Sequence, residues 1–256
     1  MHILCIGDVV GSIGCNHLAA RLPQLKKQYG IDVCIVNGEN AADGNGITPL
    51  AAQHLFTYGA DVITTGNHVF RRREIYQTLD EMPALLRPAN YPASAPGSGW
   101  YVVDKGRFRV AVANLLGTVY LEPLASPFDA ADALLSQSDV PTVCVLDFHA
   151  EATSEKRALA EYLDGRVSLV FGTHTHVQTA DEQILPHGTG FITDIGMTGP
   201  IDSVLGVCKQ QAIQKMREHM PVRFTAAEGR CRMCGIVADI DEKTGKTRSI
   251  ERIAID

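Results

Sequence analysis

The stretch ILCIGDVVGSIG, residues Ile3–Gly14, decides the fold. Its apolar start is typical of a buried strand, and three glycines follow at intervals of four and three residues. That spacing departs from the G-x-G-x-x-G turn that binds dinucleotides. Asp8 also stands where a pyrophosphate needs bare backbone N–H groups, and its carboxylate would repel phosphate unless a cation lay between them. The stretch alone leaves two alternatives open, a nucleotide-binding turn and a metal-holding aspartate.

Length and composition are those of an ordinary soluble protein. The 256 residues, 45% hydrophobic and 20% charged, suffice for a sizeable core. The net charge of −6 argues against a surface that coats nucleic acid, although a local nucleotide pocket remains compatible. We expect no membrane span, since no apolar run approaches about 20 residues, and no secretory signal. Seven scattered cysteines fit a reducing compartment, so the sequence predicts a cytoplasmic protein.

Strand-like runs alternate with helical patterns early in the chain, and hairpin patterns follow later. The clearest helix spans residues 48–59, which begin with Thr-Pro and end with Gly. Further predictions are a polar helix from about Arg71 to Leu79, a long loop over 87–99, and hairpin turns at 104–107 and 241–246. The pattern predicts one layered α/β domain over residues 1–256, with mixed β-sheets flanked by helices.

Five strand-like runs end in residues able to bind metal. These residues are Asp8, Glu39 with Asn40, Asn67 with His68, His149, and His174 with His176. Because the carboxyl ends of strands in an open α/β sheet share one edge, we expect a metal site there. Imidazole, carboxylate and amide oxygen suit Mn, Fe or Zn. The donors are too many for one ion with open positions, which favours two ions that share a carboxylate and catalyse phosphoester hydrolysis.

Each of these elements also has an ordinary structural interpretation. An aspartate after a strand commonly caps a helix, and Asn-Gly or Gly-Asn-His commonly forms a turn. The pair His174 and His176 is stronger, because alternate residues of an extended segment share a face. The structural interpretations together would require five independent coincidences at corresponding strand ends.

The motifs GDVVG, NGEN, GNH and GTHTH, in this order, resemble those of the calcineurin-like metallophosphoesterases. The longer segments NGENAADGNGIT, GNHVF, RPANYP, GTHTHVQTADEQILP and TDIGMTGP resemble the YmdB-like branch, a group of bacterial metal-dependent phosphodiesterases. The sequence departs from the wider superfamily where Val10 replaces a histidine, Glu39 replaces an aspartate and Val69 replaces an acidic residue. All three departures match the YmdB-like branch.

The resemblance implies a layered metallophosphoesterase-type fold with two divalent metals, Fe or Mn first and Zn as an alternative. It assigns Asp8, Glu39, Asn40 and His176 to the first metal, and Glu39, Asn67, His149 and His174 to the second. His68 would be catalytic, as general acid for the leaving oxygen or as a cation that stabilises charge, while a hydroxide held by the metals attacks phosphorus. The implied substrates are small phosphodiesters, particularly 2′,3′-cyclic nucleotides.

Other polar groups carry weaker hypotheses. Arg87 is a candidate for contact with substrate phosphate, and the run Arg71–Arg73 is either an anion contact or a solvated helix face. Cys231 and Cys234 lack the second pair that a zinc ribbon needs, so we interpret them as structural. Asp194 is expected to be structural or to form a pocket wall.

Three rival functions remain open at this stage. A nucleotidase-type phosphomonoesterase would use the same metals and differ in its preference for monoesters. A regulatory protein would keep the metal site to sense a nucleotide without turnover. A dinucleotide oxidoreductase would use Glu39 to bind ribose, but it gives Asp8 and the histidine pair no task. We also expect a homo-oligomer, since these are common.

Overall fold

The computed structural model describes residues 1–256, which form thirteen strands and six helices. The strands are β1 (His2–Ile6), β2 (Asp8–Val9), β3 (Val33–Asn37), β4 (Val62–Thr64), β5 (Trp100–Asp104), β6 (Arg109–Leu116), β7 (Val143–His149), β8 (Leu169–Thr173), β9 (Gln183–Ile184), β10 (Gly190–Ile192), β11 (Met197–Pro200), β12 (Cys231–Ile240) and β13 (Thr247–Ile255). The helices are α1 (Gly11–Tyr29), α2 (Pro49–Tyr58), α3 (Ile75–Glu81), α4 (Pro127–Leu135), α5 (Thr153–Leu163) and α6 (Lys209–Glu218).

The strands form two mixed sheets. The first has the order β2-β11-β12-β1-β3-β4, and β13 pairs with β12. The second has the order β5-β6-β7-β8-β10-β9. Strand β1 lies parallel to β3 and antiparallel to β12, and strands β6, β7 and β8 are parallel to one another. The carboxyl ends of the parallel strands in each sheet therefore share an edge, which the site requires.

The two sheets pack face to face, and helices cover their outer faces. The core between the sheets contains Ile3 and Ile35 from the first and Val145 and Phe171 from the second. Leucines of α1, α2 and α3 pack on the outside of the first sheet, while α4 and α5 cover the second. The resulting helix–sheet–sheet–helix layering confirms the mixed-sheet α/β fold predicted from the sequence. None of the helices combines the length and apolar character needed to cross a bilayer.

Local sequence signals predicted the positions of most helices and hairpins correctly. Helix α2 begins after Thr48, whose side chain accepts a hydrogen bond from the Ala51 N–H, and ends at Gly59 with φ +117°. Residues 87–99 form a long loop, and the hairpins at 104–107 and 241–246 are present. Helix α4 was not anticipated, although Ser126 and Pro127 at its start are ordinary helix-initiating residues.

The polar helix expected from Arg71 begins only at Ile75. Residues 66–74 instead form successive turns, in which Arg71 N–H donates to the His68 carbonyl. The Arg72 guanidinium donates to the carbonyls of Ala42 and Asn45, so this segment is bound to the loop after β3. These side-chain contacts oppose a regular helix here and bring Arg72 toward the strand ends.

Candidate metal centre

The structure brings all eight strand-end residues into one contact network. Asp8, Glu39, Asn40, Asn67 and His68 follow strands of the first sheet, whereas His149, His174 and His176 lie at or after strand ends of the second. Asp8 Oδ2 accepts from the His174 N–H at 3.2 Å, so the network joins the two sheets. The site thus lies where the carboxyl edges of both sheets meet.

The centre of the network is His149 Nε2. Glu39 Oε1, Asn67 Oδ1 and His174 Nδ1 each lie 3.1 Å from this nitrogen. The ligand atoms of Glu39, His149 and His174 all lie within 4.8 Å of one another. Gly66 makes this approach possible, because a Cβ there would lie 2.1 Å from the His149 ring. The Gly-Asn-His segment therefore supplies the amide oxygen of Asn67 and, through Gly66, the space that the imidazole of His149 occupies.

A chain of hydrogen bonds orients His149. Its Nδ1 lies 2.8 Å from the Thr173 hydroxyl, which in turn donates to Asp147 Oδ1 at 2.7 Å. Asn37 and Thr64 donate to the other oxygen of the same carboxylate. Burial raises the pKa of Asp147 to about 6. The hydroxyl therefore accepts from the Nδ1 proton of His149, which turns Nε2 toward the centre of the network.

The two central imidazoles differ in the direction in which their pKa values are shifted. Burial would lower the pKa of His149, but the neighbouring Glu39 carboxylate raises it to about 9. Burial and the nearby His149 lower the pKa of His174 to about 3, so its ring is neutral. Glu151 Oε2 lies 2.9 Å from His174 Nε2, so this carboxylate contacts the second imidazole from the cavity side. A divalent cation fits this set of donors.

Asp8 supplies an independent indication that a cation fits. Its carboxylate is fully buried, and burial raises its pKa. Oδ1 has no hydrogen-bond partner, while His176 Nε2 and His149 Nδ1 lie 3.7 and 4.0 Å away. An unpartnered buried carboxylate oxygen is costly, and a cation between it and His176 Nε2 would remove that cost.

The segment 174–176 reaches the centre by an unexpected backbone route. His174 and His176 have φ values of +96° and +64°, so the rings do not converge through the alternation of an extended strand, as the sequence argument assumed. The N–H and the hydroxyl of the intervening Thr175 donate to Asp194 Oδ2, at 3.1 and 2.8 Å. The buried Lys156 donates to the same carboxylate at 2.7 Å. This ion pair maintains a backbone conformation that is unfavourable for residues with a Cβ.

His68 is the most exposed of the four histidines in the network, at 28% against 17% for His174 and 14% for His176. Its N–H donates to Glu39 Oε2 at 3.0 Å, and its Nδ1 lies 2.8 Å from Asn40 Oδ1. Mainly because of burial, the pKa of His68 is lowered. The ring is 28% exposed and lines a cavity of about 930 Å³ whose floor includes Glu39, Asn40 and His176. A ligand in this cavity would therefore meet His68 and the candidate metal ligands together.

The structure adds residues that the sequence argument missed. Glu151 contacts His174 and lines the cavity, Arg72 lines its rim, and Thr173 with Asp147 supports His149. The sequence does indicate a role for Asp147, because it lies two residues before His149 in an otherwise apolar strand and its side chain must point to the same side.

Arg87 and the cysteine pair of β12 lie outside the cavity. Arg87 is 6% exposed and donates to the carbonyls of Pro88 and Pro96, so it organises the loop over 87–99 instead of reaching a substrate in the cavity. Cys231 is buried and Cys234 is half-buried on β12, and both are free thiols. Their alternation along the strand matches the structural interpretation.

Known proteins resemble the chain over almost its whole length. A family described as YmdB-like protein matches residues 4–253. A Bacillus subtilis (strain 168) protein named 2′,3′-cyclic-nucleotide 2′-phosphodiesterase is 50% identical, with 100% of this chain and 97% of that protein covered. The crystal structure of a novel phosphatase from Mycoplasma pneumoniae has a TM-score of 0.94 at 34% identity and covers 100% of this chain and 93% of its own.

A more distant structure bears on the fold alone. The structure of a putative 5′-nucleotidase from Staphylococcus aureus has a TM-score of 0.62 at 15% identity, with 99% of this chain and 54% of that chain covered. Together with the close relatives, this similarity confirms the metallophosphoesterase-type layered fold expected from the sequence motifs.

Proposed function

This chain belongs to the YmdB-like family, and on that premise we propose that it is a metal-dependent phosphodiesterase that hydrolyses 2′,3′-cyclic nucleotides. The observation that carries the proposal is the convergence of a buried, unpartnered carboxylate oxygen of Asp8 with the imidazoles of His149 and His176, next to a cavity that His176 lines. The name of the Bacillus subtilis relative supports the substrate class.

The donor set supports two divalent cations, iron or manganese in preference to zinc. The first would be held by Asp8, Glu39, Asn40 and His176, and the second by Glu39, Asn67, His149 and His174. Glu39 suits a bridging role because Oε1 lies 3.2 Å from the Asn40 amide and 3.1 Å from His149 Nε2, between the two sets. When bound, such a pair neutralises phosphate charge and activates water for in-line displacement.

The residues of the chain supply orientation and proton transfer. Leu205 O lies 2.9 Å from His176 Nδ1 and Thr173 accepts from His149, so both rings present Nε2 to the centre. His68 is the group that would protonate the leaving ribose oxygen, since it borders the cavity and is positioned by Glu39 and Asn40.

The proposal is tested by metal analysis together with a diesterase assay. Protein purified without chelator should contain close to two iron or manganese ions per chain. It should convert 2′,3′-cyclic AMP to adenosine 3′-phosphate and hydrolyse a bis(p-nitrophenyl) diester faster than the monoester. His68→Ala should retain the metal and lose about 10²- to 10⁴-fold in kcat, whereas His54→Ala, an exposed position on α2 outside the cavity, should match the unaltered protein.

Other results would point to the rival functions. A preference for the monoester would indicate a nucleotidase-type phosphomonoesterase. Absence of turnover with added Mn²⁺ or Fe²⁺, despite a full metal complement, would indicate a sensor protein and contradict the proposal.

A further inference from the structure

One wall of the cavity is apolar and has no part in the metal centre. It is formed by Val10, Leu205, Val207, Phe224 and Ala226, and the polar residues that line the cavity apart from the candidate metal ligands include Asp43, Asn45, Arg72 and Glu151. A cavity of about 930 Å³ lies near the upper end of the range for small-molecule sites, so it leaves room beyond a phosphate group. The part of the ligand beyond the phosphate would therefore meet both polar and apolar side chains.

The apolar wall is fixed to the metal centre through the backbone. His176 Nδ1 lies 2.9 Å from the Leu205 carbonyl, at the tip of the turn over 204–207. That turn is bound to the next segment, because Cys208 N–H donates to the Thr225 carbonyl and Ala227 N–H donates to the Gly206 carbonyl. Phe224 is thus carried on a segment whose distance from the metal ligands is set by hydrogen bonds.

Phe224 is the one Phe, Tyr or Trp among the residues that line the cavity. Its side chain is 49% exposed, so a large apolar ring borders the open space without a protein partner covering it. Arg223 also lines the cavity, and no ion pair or hydrogen bond of the structure uses its guanidinium. Arg72, by contrast, is engaged by the carbonyls of Ala42 and Asn45.

We propose that Phe224, with Arg223 beside it, forms the nucleobase-binding part of the cavity. An aromatic ring and an adjacent cation form a surface on which any nucleobase can stack, because every base offers a π-face. The inference rests on the proposed function, which places a phosphodiester at the floor near His68. It deepens that function by assigning selectivity for nucleotides over other small diesters to residues 223 and 224.

The test compares two substrates that differ only in the base. Phe224→Ala should lower kcat/KM for 2′,3′-cyclic AMP by about five- to a hundredfold, mainly through KM. The same variant should change kcat/KM for methyl riboside 2′,3′-cyclic phosphate, which lacks the base, by less than twofold. Phe224→Trp keeps an aromatic ring and should retain the preference of the unaltered protein for 2′,3′-cyclic AMP over the substrate without a base. Arg223→Gln should reduce it by about two- to fivefold, and Met216→Ala, an exposed apolar residue of α6 outside the cavity, should leave it unchanged.

Binding separates this inference from the proposed reaction. Calorimetric titration of the metal-loaded protein with adenosine 3′-phosphate should give a Kd that rises by the same factor in Phe224→Ala, whether or not the protein turns over. An unchanged Kd, or an equal loss of kcat/KM on both substrates, overturns the base-binding role. Absence of hydrolysis together with a Phe224-dependent Kd would refute the proposed function and leave the base-binding role standing.

Discussion

The imidazole of His149 and the hydroxyl of Thr173 lie 2.8 Å apart, and this contact fixes which nitrogen of the ring faces the metal centre. The hydroxyl is itself oriented, because it donates to the buried carboxylate of Asp147. Side chains behind a ligand histidine commonly set its tautomer and raise its basicity. The carboxylate–hydroxyl–imidazole chain is therefore expected to contribute to metal affinity without touching the metal.

Thr173→Val tests this contribution. Valine preserves the shape of threonine but cannot accept from His149 Nδ1, so metal affinity should fall by about 10- to 100-fold. Competition with a chromogenic chelator measures the change, and circular dichroism checks the fold. Thr173→Ser keeps the hydroxyl and should bind metal nearly as well as the unaltered protein. Equal affinity in the valine and serine variants would show that packing alone orients the ring.

Gly66 is expected to be irreplaceable for a steric reason. The Cβ of an alanine would lie 2.1–2.4 Å from three atoms of the His149 ring, so Gly66→Ala must displace that imidazole. We expect the variant to fold and to lose metal measured by inductively coupled plasma mass spectrometry. Gly106→Ala is a suitable control, because Gly106 lies in a hairpin turn outside the site and no atom lies within 4 Å of the new Cβ. Its φ of +76° strains the backbone of this variant but displaces no side chain. Full metal content in Gly66→Ala would refute the steric account.

The sequence was sufficient to predict the layered fold and which strand ends meet. The local signals were strand–helix alternation, a helix that begins with Thr-Pro, and polar residues after apolar runs. The sheet topology then places those polar residues at one site. Within each sheet the candidate ligands could be grouped because parallel strands place their carboxyl ends on a common edge, whereas the meeting of the two edges depends on how the sheets pack.

The supporting contacts could not be predicted, because they depend on long-range geometry. Nothing local indicates that Glu151 meets His174, that Lys156 meets Asp194, or that Arg72 meets the loop after β3. The left-handed backbone at His174 is likewise imposed by tertiary contacts, since a histidine has no intrinsic preference for φ +96°. The residues that line the cavity from 205–226 all follow the last of the quoted motifs, so the sequence carried no sign of their role.

The buried pair of Lys156 and Asp194 should be important for stability. Lys156 is 1% exposed and donates to Asp194 at 2.7 Å and to the Thr173 carbonyl at 2.8 Å. Lys156→Met leaves a buried carboxylate without its cation, so the free energy of unfolding in urea should fall by about 3–5 kcal/mol. The double variant Lys156→Met/Asp194→Asn should recover part of this loss. Arg109→Gln, which breaks an exposed pair with Asp139, should change stability little.

Asp241 should make the hairpin between β12 and β13 sensitive to acid. The Thr244 N–H and the Arg248 guanidinium hold the pKa of its carboxyl at about 2, against about 3.9 in an unfolded chain. A lowered pKa stabilises the fold above the unfolded value, and this contribution is lost as the pH falls from about 4 to about 2. Asp241→Asn should therefore reduce the urea midpoint at pH 7, and its difference from the unaltered protein should shrink toward pH 2. A difference that is constant with pH would contradict this origin.

Glu151 offers a test of how the second central imidazole is held. Its Oε2 lies 2.9 Å from His174 Nε2, and the lowered pKa of that ring means that the carboxylate contacts a neutral imidazole. Glu151→Ala removes this contact and should weaken metal binding by about tenfold or more. Glu151→Gln keeps a polar oxygen of the same reach and should lose less affinity than the alanine variant. The side chain is 50% exposed, so neither change should alter the urea midpoint by more than a small amount. If alanine and glutamine behave alike, the negative charge of Glu151, and not its polar contact with His174, is what the centre uses.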